Sequence, residues 1–332
     1  MLFIKIILII FFLSCSSKRE ALGPDNEIRI ICSKSEERDI KKLLSIVFND
    51  TIYTPEPEPY YFLKFSSPET YLELKNQAYI IVASLNQKND NKASRLIQKL
   101  LPENQYFINY DQDPIYLSKN VHARNQIFMV VNGLSFDHVK RSISEKKDQL
   151  KGLFLDQYEV RQKKFIIDNE NYNKVENSIL GKNDWLISIP WGWEVIKNST
   201  DSGFVWLGKE MPFQWISVSW SGGSHIGDEL IAGRYIWDMP NRYYKNIRFN
   251  DYKFKLKKTN FLGYSAWYSD GIWESINKNE SKGGPFRSYL FYNERKNLTY
   301  HINMLIYHPG NNKSLYMRQM DMIAKTFQFI ER

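Results

Sequence analysis

The chain has 332 residues, with 45 Lys+Arg against 37 Asp+Glu, nine tryptophans and two cysteines. That length accommodates two ordinary domains, and two cysteines exclude a disulfide-stapled scaffold and a cysteine-based metal site. The net charge of +8 is mild and spread along the chain; with no nucleic-acid motif present, it excludes a nucleic-acid-binding reading.

Met1–Lys5 carries one positive charge, Ile6–Leu13 is an unbroken apolar run, and Ser14-Cys15-Ser16-Ser17 follows. Charge, apolar run and small residues form the layout of a secretory signal. Phe12-Leu13-Ser14-Cys15 resembles a bacterial lipobox, with Phe12 where leucine is usual. That resemblance implies cleavage before Cys15 and a diacylglycerol on its sulfur. The run is too short to span, since crossing needs roughly 20 apolar residues. Residues 1–14 are thus read as a lipoprotein signal peptide and 15–26 as a tether. The expected address is the cell envelope, through a lipid anchor in the outer membrane.

From Glu27 the chain alternates strand and helix. Glu27–Ser33 reads as a strand that buries Cys32 as a small apolar residue. Ile40, Leu43, Leu44, Val47 and Phe48 form one helix face. Thr54–Pro59 holds three prolines and is an extended connector. Tyr60–Phe65, Tyr79–Leu85, Ile115–Val121 and Gln126–Asn132 read as strands. Pro68–Asn76, Lys92–Leu101 (stopped by Pro102) and Phe136–Ile167 read as helices. This predicts an α/β domain over 27–167 with helices packed on a sheet. Asn-rich 168–184 is read as a linker.

Residues 185–330 read differently. All nine tryptophans lie between Trp185 and Trp273. Ile216, Val218 and Trp220 alternate with Ser217 and Ser219. Tyr300, Ile302, Met304 and Ile306 alternate with His301 and Asn303. Period two with one polar face predicts half-buried antiparallel strands, so His301 is expected to be solvated. Asp228–Trp237 and Leu315–Phe327 read as helices, the second closing the domain. The fold class is therefore mixed α/β and α+β.

Phe204-Val-Trp-Leu207, Gly271-Ile-Trp-Glu274, Gly283-Gly-Pro-Phe286 and Tyr307-His-Pro-Gly310 carry a family resemblance. So do Pro57-Glu-Pro59 and Asn120–Gln126 in the first half. On these segments the chain is similar to the Bacteroidota envelope lipoproteins grouped as domain of unknown function 4837. Gln77-Ala78 departs from that pattern. The resemblance implies a lipoprotein and an envelope address, and no particular activity. The second half also loosely resembles the small α/β folds of photosystem accessory subunits.

Chemistry-bearing motifs are sparse. There is no G-x-S-x-G elbow; Ser221-Gly-Gly-Ser-His225 reads as a turn. The five histidines lack metal-ligand spacing, so no metal and no cofactor is expected. Trp273, Glu274, Gly283, Gly284, Pro285 and Phe286 form the candidate binding patch, with glycines allowing close approach to the backbone. Asp50-Thr51-Ile52 resembles the short O-glycosylation site of Bacteroidota, which makes Thr51 a candidate. Two functions follow: a non-catalytic binding or assembly module for an envelope protein or glycan, or an envelope hydrolase with Glu274 or Asp270 as acid.

Overall fold

The computed structural model describes residues 18–53, 56–85, 91–167, 183–188, 190–277 and 279–330. The signal, the lipobox with Cys15 and most of the 168–184 linker lie outside these residues. The chain divides into two units, one holding the residues up to Phe48 with Tyr61–Tyr158, the other Asn49–Tyr60 with Glu159–Arg332.

The first unit is built on five strands: β1 (Glu27–Ile31), β2 (Phe62–Ser66), β3 (Tyr79–Ser84), β4 (Ile115–Lys119) and β5 (Ile127–Asn132). Their order is β2-β1-β3-β5-β4. The first four of these are parallel, and edge strand β4 runs antiparallel to β5. Every residue of β3 and β5 is buried, because a parallel sheet has helices on both faces. Those helices are α1 (Glu37–Leu44), α2 (Lys92–Leu100), α3 (Glu103–Asp111), α4 (Phe136–Glu145) and the part of α5 (Lys147–Ile167) up to Tyr158, the rest of α5 belonging with the second unit. The predicted face of α1 is the buried one, at Ile40, Leu43 and Leu44. On the far side, Ile97 of α2 packs with Ile80 and Val82. Two details depart from expectation. Pro102 ends α2 but also opens α3 from its N-cap position, where its missing N–H costs no helical bond. The long stripe after Phe136 breaks at Lys146 into α4 and α5.

The domain boundary also moves. Asn49–Tyr60 belongs with the second unit, although the 27–167 reading placed it in the first. The proline-rich segment cannot join a central ladder. Instead Thr51–Ile52 pairs with Glu58–Pro59. The buried Glu58 carboxylate then accepts from the backbone N–H of Lys313 and of Ser314. Those are orphan donors at a helix start, where negative charge is favoured.

The second unit centres on an eight-stranded antiparallel sheet. Its strands are β6 (Glu194–Ser199), β7 (Phe204–Lys209), β8 (Phe213–Gly222), β9 (Ile247–Phe249), β10 (Lys255–Phe261), β11 (Tyr264–Ser275), β12 (Gly283–Asn293) and β13 (Leu298–Tyr307). The order is β9-β11-β12-β13-β8-β7-β6, with β10 also on β11. One face packs Tyr300, Ile302 and Met304 against Met320 and Ile323 of α8 (Ser314–Ala324). The other packs Phe286, Leu290 and Trp267 against Ile236 and Met239, from α6 (Glu229–Trp237) and α7 (Met239–Tyr243). Asp228 caps α6 by accepting from Ile231 N–H at 2.8 Å. Trp185–Leu186 pairs with Gln328–Phe329. Among the described residues no helix is long and apolar enough to cross a membrane.

The covering by α6 and α7 corrects one expectation. The polar face of the sheet is not solvated. His301, Asn303, Ser217, Ser219, Ser269 and Ser288 all have zero exposure. Ser217, Asn303, Ser288 and Ser269 lie side by side across four strands, and a helix layer closes over them. Tyr244 bonds both Ser217 Oγ (2.8 Å) and Asn303 Nδ2 (3.3 Å). Both ring nitrogens of His301 lack a partner among the described residues.

Candidate functional site

In the first unit the chain leaves β1 toward β2 on one side and returns to β3 on the other. This reversal opens a crevice outside the carboxyl ends of parallel strands, where open α/β sheets bind ligands. The crevice encloses about 890 Å³, within the usual ligand-pocket range of roughly 300–1,000 Å³. Its lining comes from the residues that follow each strand: Ser33 after β1, Ser67 after β2, Asn91 before α2, Ser135 and Phe136 after β5.

Each of these polar residues has a local reason to be there. Asn91 caps α2, its Oδ1 accepting from Ala93 N–H (2.9 Å) and Ser94 N–H (3.2 Å). Ser33 Oγ donates to the same oxygen at 2.7 Å, and Asn91 Nδ2 donates to Ser84 Oγ at 3.0 Å. Ser135 caps α4 by accepting from His138 N–H. Lys92 is committed to Glu69 at 2.6 Å and Lys34 to Glu37 at 2.6 Å. The Lys92 hydrogen bond holds the Glu69 carboxyl down at about 2.

Glu36 stands apart. Its side chain lies in the wall of the crevice at 9% exposure. Oε1 accepts from Leu85 N–H at 3.0 Å, while the buried Oε2 has no partner among the described residues. A buried carboxylate oxygen without a donor is costly, so the site is complementary to a ligand that brings a donor. Serine hydroxyls and an asparagine around it, with Leu134 half exposed and Phe136 at the lip, suit a hydroxylated molecule. Cys32, next to Ser33, is no nucleophile here: burial, then Glu37 and Glu36, push its thiol up to about 12. Sequence reasoning passed over this crevice. The available signal was the repeated placement of Ser or Asn between each apolar strand and the helix that follows it.

The sequence-predicted patch lies elsewhere, in β11 and β12. Trp273, Pro285 and Phe286 are buried, and Trp273 Nε1 donates to Ile306 O at 3.0 Å. A Cβ on Gly284 would stand 1.9 Å from Ile306 O, and one on Gly283 2.8 Å from Trp273 O. The close approach at these glycines is made by neighbouring strands, where the sequence reading expects a ligand or partner. Glu274 is paired with Arg248 at 2.7 Å and accepts from Asn250 at 3.2 Å. Asp270 accepts from Tyr268 OH at 3.0 Å. Four residues apart on one strand, the two carboxylates are spaced about 13 Å along its axis, beyond the roughly 5–9.5 Å of a glycosidase pair. Ser221 Oγ meets Tyr235 OH at 2.9 Å and His225 Nε2 meets Gly222 O at 3.2 Å, so those two residues are engaged separately. Thr51 is exposed. Among the described residues no group of three or more His, Cys, Asp or Glu is placed to hold a metal ion.

The charge is also less evenly spread than the sequence reading holds. Between Arg242 and Lys258 seven basic residues face one acidic residue, Asp251. Several sit on β10, an edge strand, where lysines oppose edge-to-edge pairing.

Residues 225–326 match the family model described as domain of unknown function DUF4837. No curated protein matches the chain. Among solved structures, the Saccharomyces cerevisiae Ran-binding protein Mog1p is 9% identical, with a TM-score of 0.33 over 45% of this chain and 91% of that one. A Mog1 point mutant gives the same identity and TM-score over 45% and 92%. LpqN, involved in cell envelope biogenesis of Mycobacterium tuberculosis, is 10% identical, with a TM-score of 0.29 over 44% and 83%. Likenesses this distant carry no functional argument. The family match falls inside the antiparallel unit, from the loop before α6 to the end of α8.

Proposed function

We propose that the protein is a lipid-anchored, non-catalytic binding module of the bacterial cell envelope. Its first unit holds a small hydroxylated ligand, of the sugar or polyol class, at the carboxyl-end crevice. The observation that carries this reading is Glu36, a buried carboxylate in the crevice wall with one oxygen bonded to Leu85 N–H and the other without a partner among the described residues. A ligand hydroxyl donating to Oε2 satisfies that oxygen, and the surrounding Ser and Asn groups accept or donate to further hydroxyls. Tethering rests on the Phe12–Cys15 lipobox, which places a cysteine one residue beyond the apolar run. Two or more acyl chains hold a protein firmly, where one holds only marginally. The DUF4837 match in the second unit supports the family side of this reading.

Two measurements test it. Metabolic labelling with palmitate marks the native chain, and Cys15→Ala leaves it unlabelled and off the membrane; a labelled or membrane-bound Cys15→Ala removes the tether. Titration of the full chain in detergent with glucose, mannitol and N-acetylglucosamine, followed by ligand-observed NMR, reports on the crevice. Glu36→Gln keeps an acceptor for Leu85 N–H and turns the other position into a donor. It is expected to weaken the best ligand about tenfold or more, the scale of a lost charge-assisted bond. Equal binding by both chains discards the crevice.

A further inference from the structure

The second unit carries its own polar pocket on the α8 side of the sheet, enclosing about 480 Å³. Arg287 on β12 forms part of its wall and is 7% exposed. Its guanidinium has one loose partner: Nη1 lies 3.4 Å from Asp321 Oδ2. Nε is buried with no hydrogen-bond partner among the described residues. That carboxylate is already engaged, since Asp321 Oδ1 accepts from Tyr289 OH at 2.6 Å and Lys325 stands 3.8 Å from Oδ2. The guanidinium also lies over the Tyr268 ring at 5.4 Å, and Lys257 approaches the same ring at 4.7 Å. Three cations, Lys257, Arg287 and Lys325, line the pocket with the carboxylate of Asp321; Lys325 also stands 3.9 Å from Glu159 Oε1, and Asp270 lies opposite Arg287 on β11. Tyr60, Tyr268 and Tyr289 supply phenol rings around them.

A buried guanidinium with an unmet donor is costly, and its planar fork matches carboxylate and phosphate in two parallel bonds. We propose that this pocket is a ligand site distinct from the crevice of the first unit, and that it takes a small ring-bearing oxyanion, a carboxylate or a phosphate ester. The oxyanion meets Arg287, Lys257 adds charge from the edge strand, and the tyrosines flank the ring. Burial pushes the Tyr268 and Tyr289 phenols above their usual range, so both remain donors to Asp270 and Asp321 and leave Arg287 as the anion's partner.

The test uses the full chain in detergent, in the native form and as Glu36→Gln, which weakens the crevice about tenfold or more. Isothermal titration with glucuronate, glucose 6-phosphate, inorganic phosphate and glucose separates the sources. At least one acidic probe is expected to bind both chains alike, more weakly as salt is raised, while glucose binds the Glu36→Gln chain about tenfold or more weakly than the native chain. Arg287→Met is expected to abolish binding. Lys257→Glu, at an exposed position that leaves the core intact, is expected to weaken it about tenfold with an unchanged unfolding midpoint. Glucuronate alone binding identifies a carboxylate ligand, and glucose 6-phosphate with phosphate identifies a phosphate ligand. The proposal is overturned if no acidic probe binds, if Lys257→Glu binds as the native chain does, or if glucose matches glucuronate in the Glu36→Gln chain.

Discussion

The two units put their polar groups in different places. In the parallel sheet the central strands β3 and β5 are buried along their whole length and apolar up to a terminal Ser84 or Asn132, and the polar groups of the crevice lie where the strands stop. Ser33, Asn91 and Ser135 then serve as caps or cap partners and as crevice walls together. In the antiparallel sheet polarity runs inside the strands, as a serine, asparagine and histidine layer sealed beneath α6 and α7. The first arrangement leaves polar groups accessible to a ligand. The second leaves them inaccessible, with an energetic cost borne by the fold. Period-two patterning reports which residues share a face; it does not report whether that face meets water or another layer.

His301 offers the largest test of this contrast. Burial, then the charge of Arg242, pushes its imidazole down to about 3, and the Tyr235 ring lies edge-on at 6.2 Å. The unfolded chain protonates this histidine below about 6.5, while the folded chain does not until about 3. The unfolded state therefore binds more protons across that window. Stability is complete above pH 6.5 and falls as pH drops toward 3, by on the order of 4 kcal/mol from this one group. His301→Leu is expected to remove that part of the slope and to be at least as stable as the native chain at pH 7, since among the described residues no partner loses a bond. Urea unfolding midpoints at pH 7, 5 and 4 for both chains measure it. An unchanged slope shows that the layer is wet and the imidazole solvated.

Trp273 sharpens the same comparison from the apolar side. It is 2% exposed, bonds Ile306 O and packs against Trp215 at 5.8 Å. Trp273→Ala is expected to destabilise the second unit by about 3–5 kcal/mol, the scale of a large aromatic lost from a core. Near-UV circular dichroism during unfolding reports the loss. A cost below about 1 kcal/mol means the ring is at a surface, where a binding patch needs it.

The elements were legible in the sequence because period carries them. The strand–helix alternation of the first unit, the apolar face of α1 and the Asp228 cap of α6 follow from residue spacing. Strand order was not legible, since nothing local records that β3 returns to the far side of β1. That reversal creates the crevice, so the crevice was illegible with it. Glu36 reads in sequence as one acid in the run Ser35-Glu36-Glu37-Arg38; only the fold buries it and aims Leu85 N–H at it. The glycines at 283 and 284 were visible as special, but a close approach looks the same whether the neighbour is a ligand or Ile306 O. The prolines before Tyr60 announced an extended segment, and could not announce that Glu58 reaches the start of α8.

The smallest effect is expected at Trp191, and its smallness is informative. Pro190-Trp191-Gly192-Trp193 places two tryptophans around a glycine with φ of 87°, a backbone that glycine adopts without strain. The turn separates the two rings completely: Trp193 is 5% exposed, Trp191 67%. Trp191→Ala is therefore expected to change unfolding free energy by no more than about 0.5 kcal/mol, the range of ordinary surface substitutions. Trp193→Ala, two residues along, belongs with Trp273→Ala in size. Acrylamide quenching of the native chain should lose its most accessible component in Trp191→Ala and keep it in Trp193→Ala. If Trp191→Ala instead costs as much as Trp193→Ala, the ring is packed in solution and the turn does not divide surface from core.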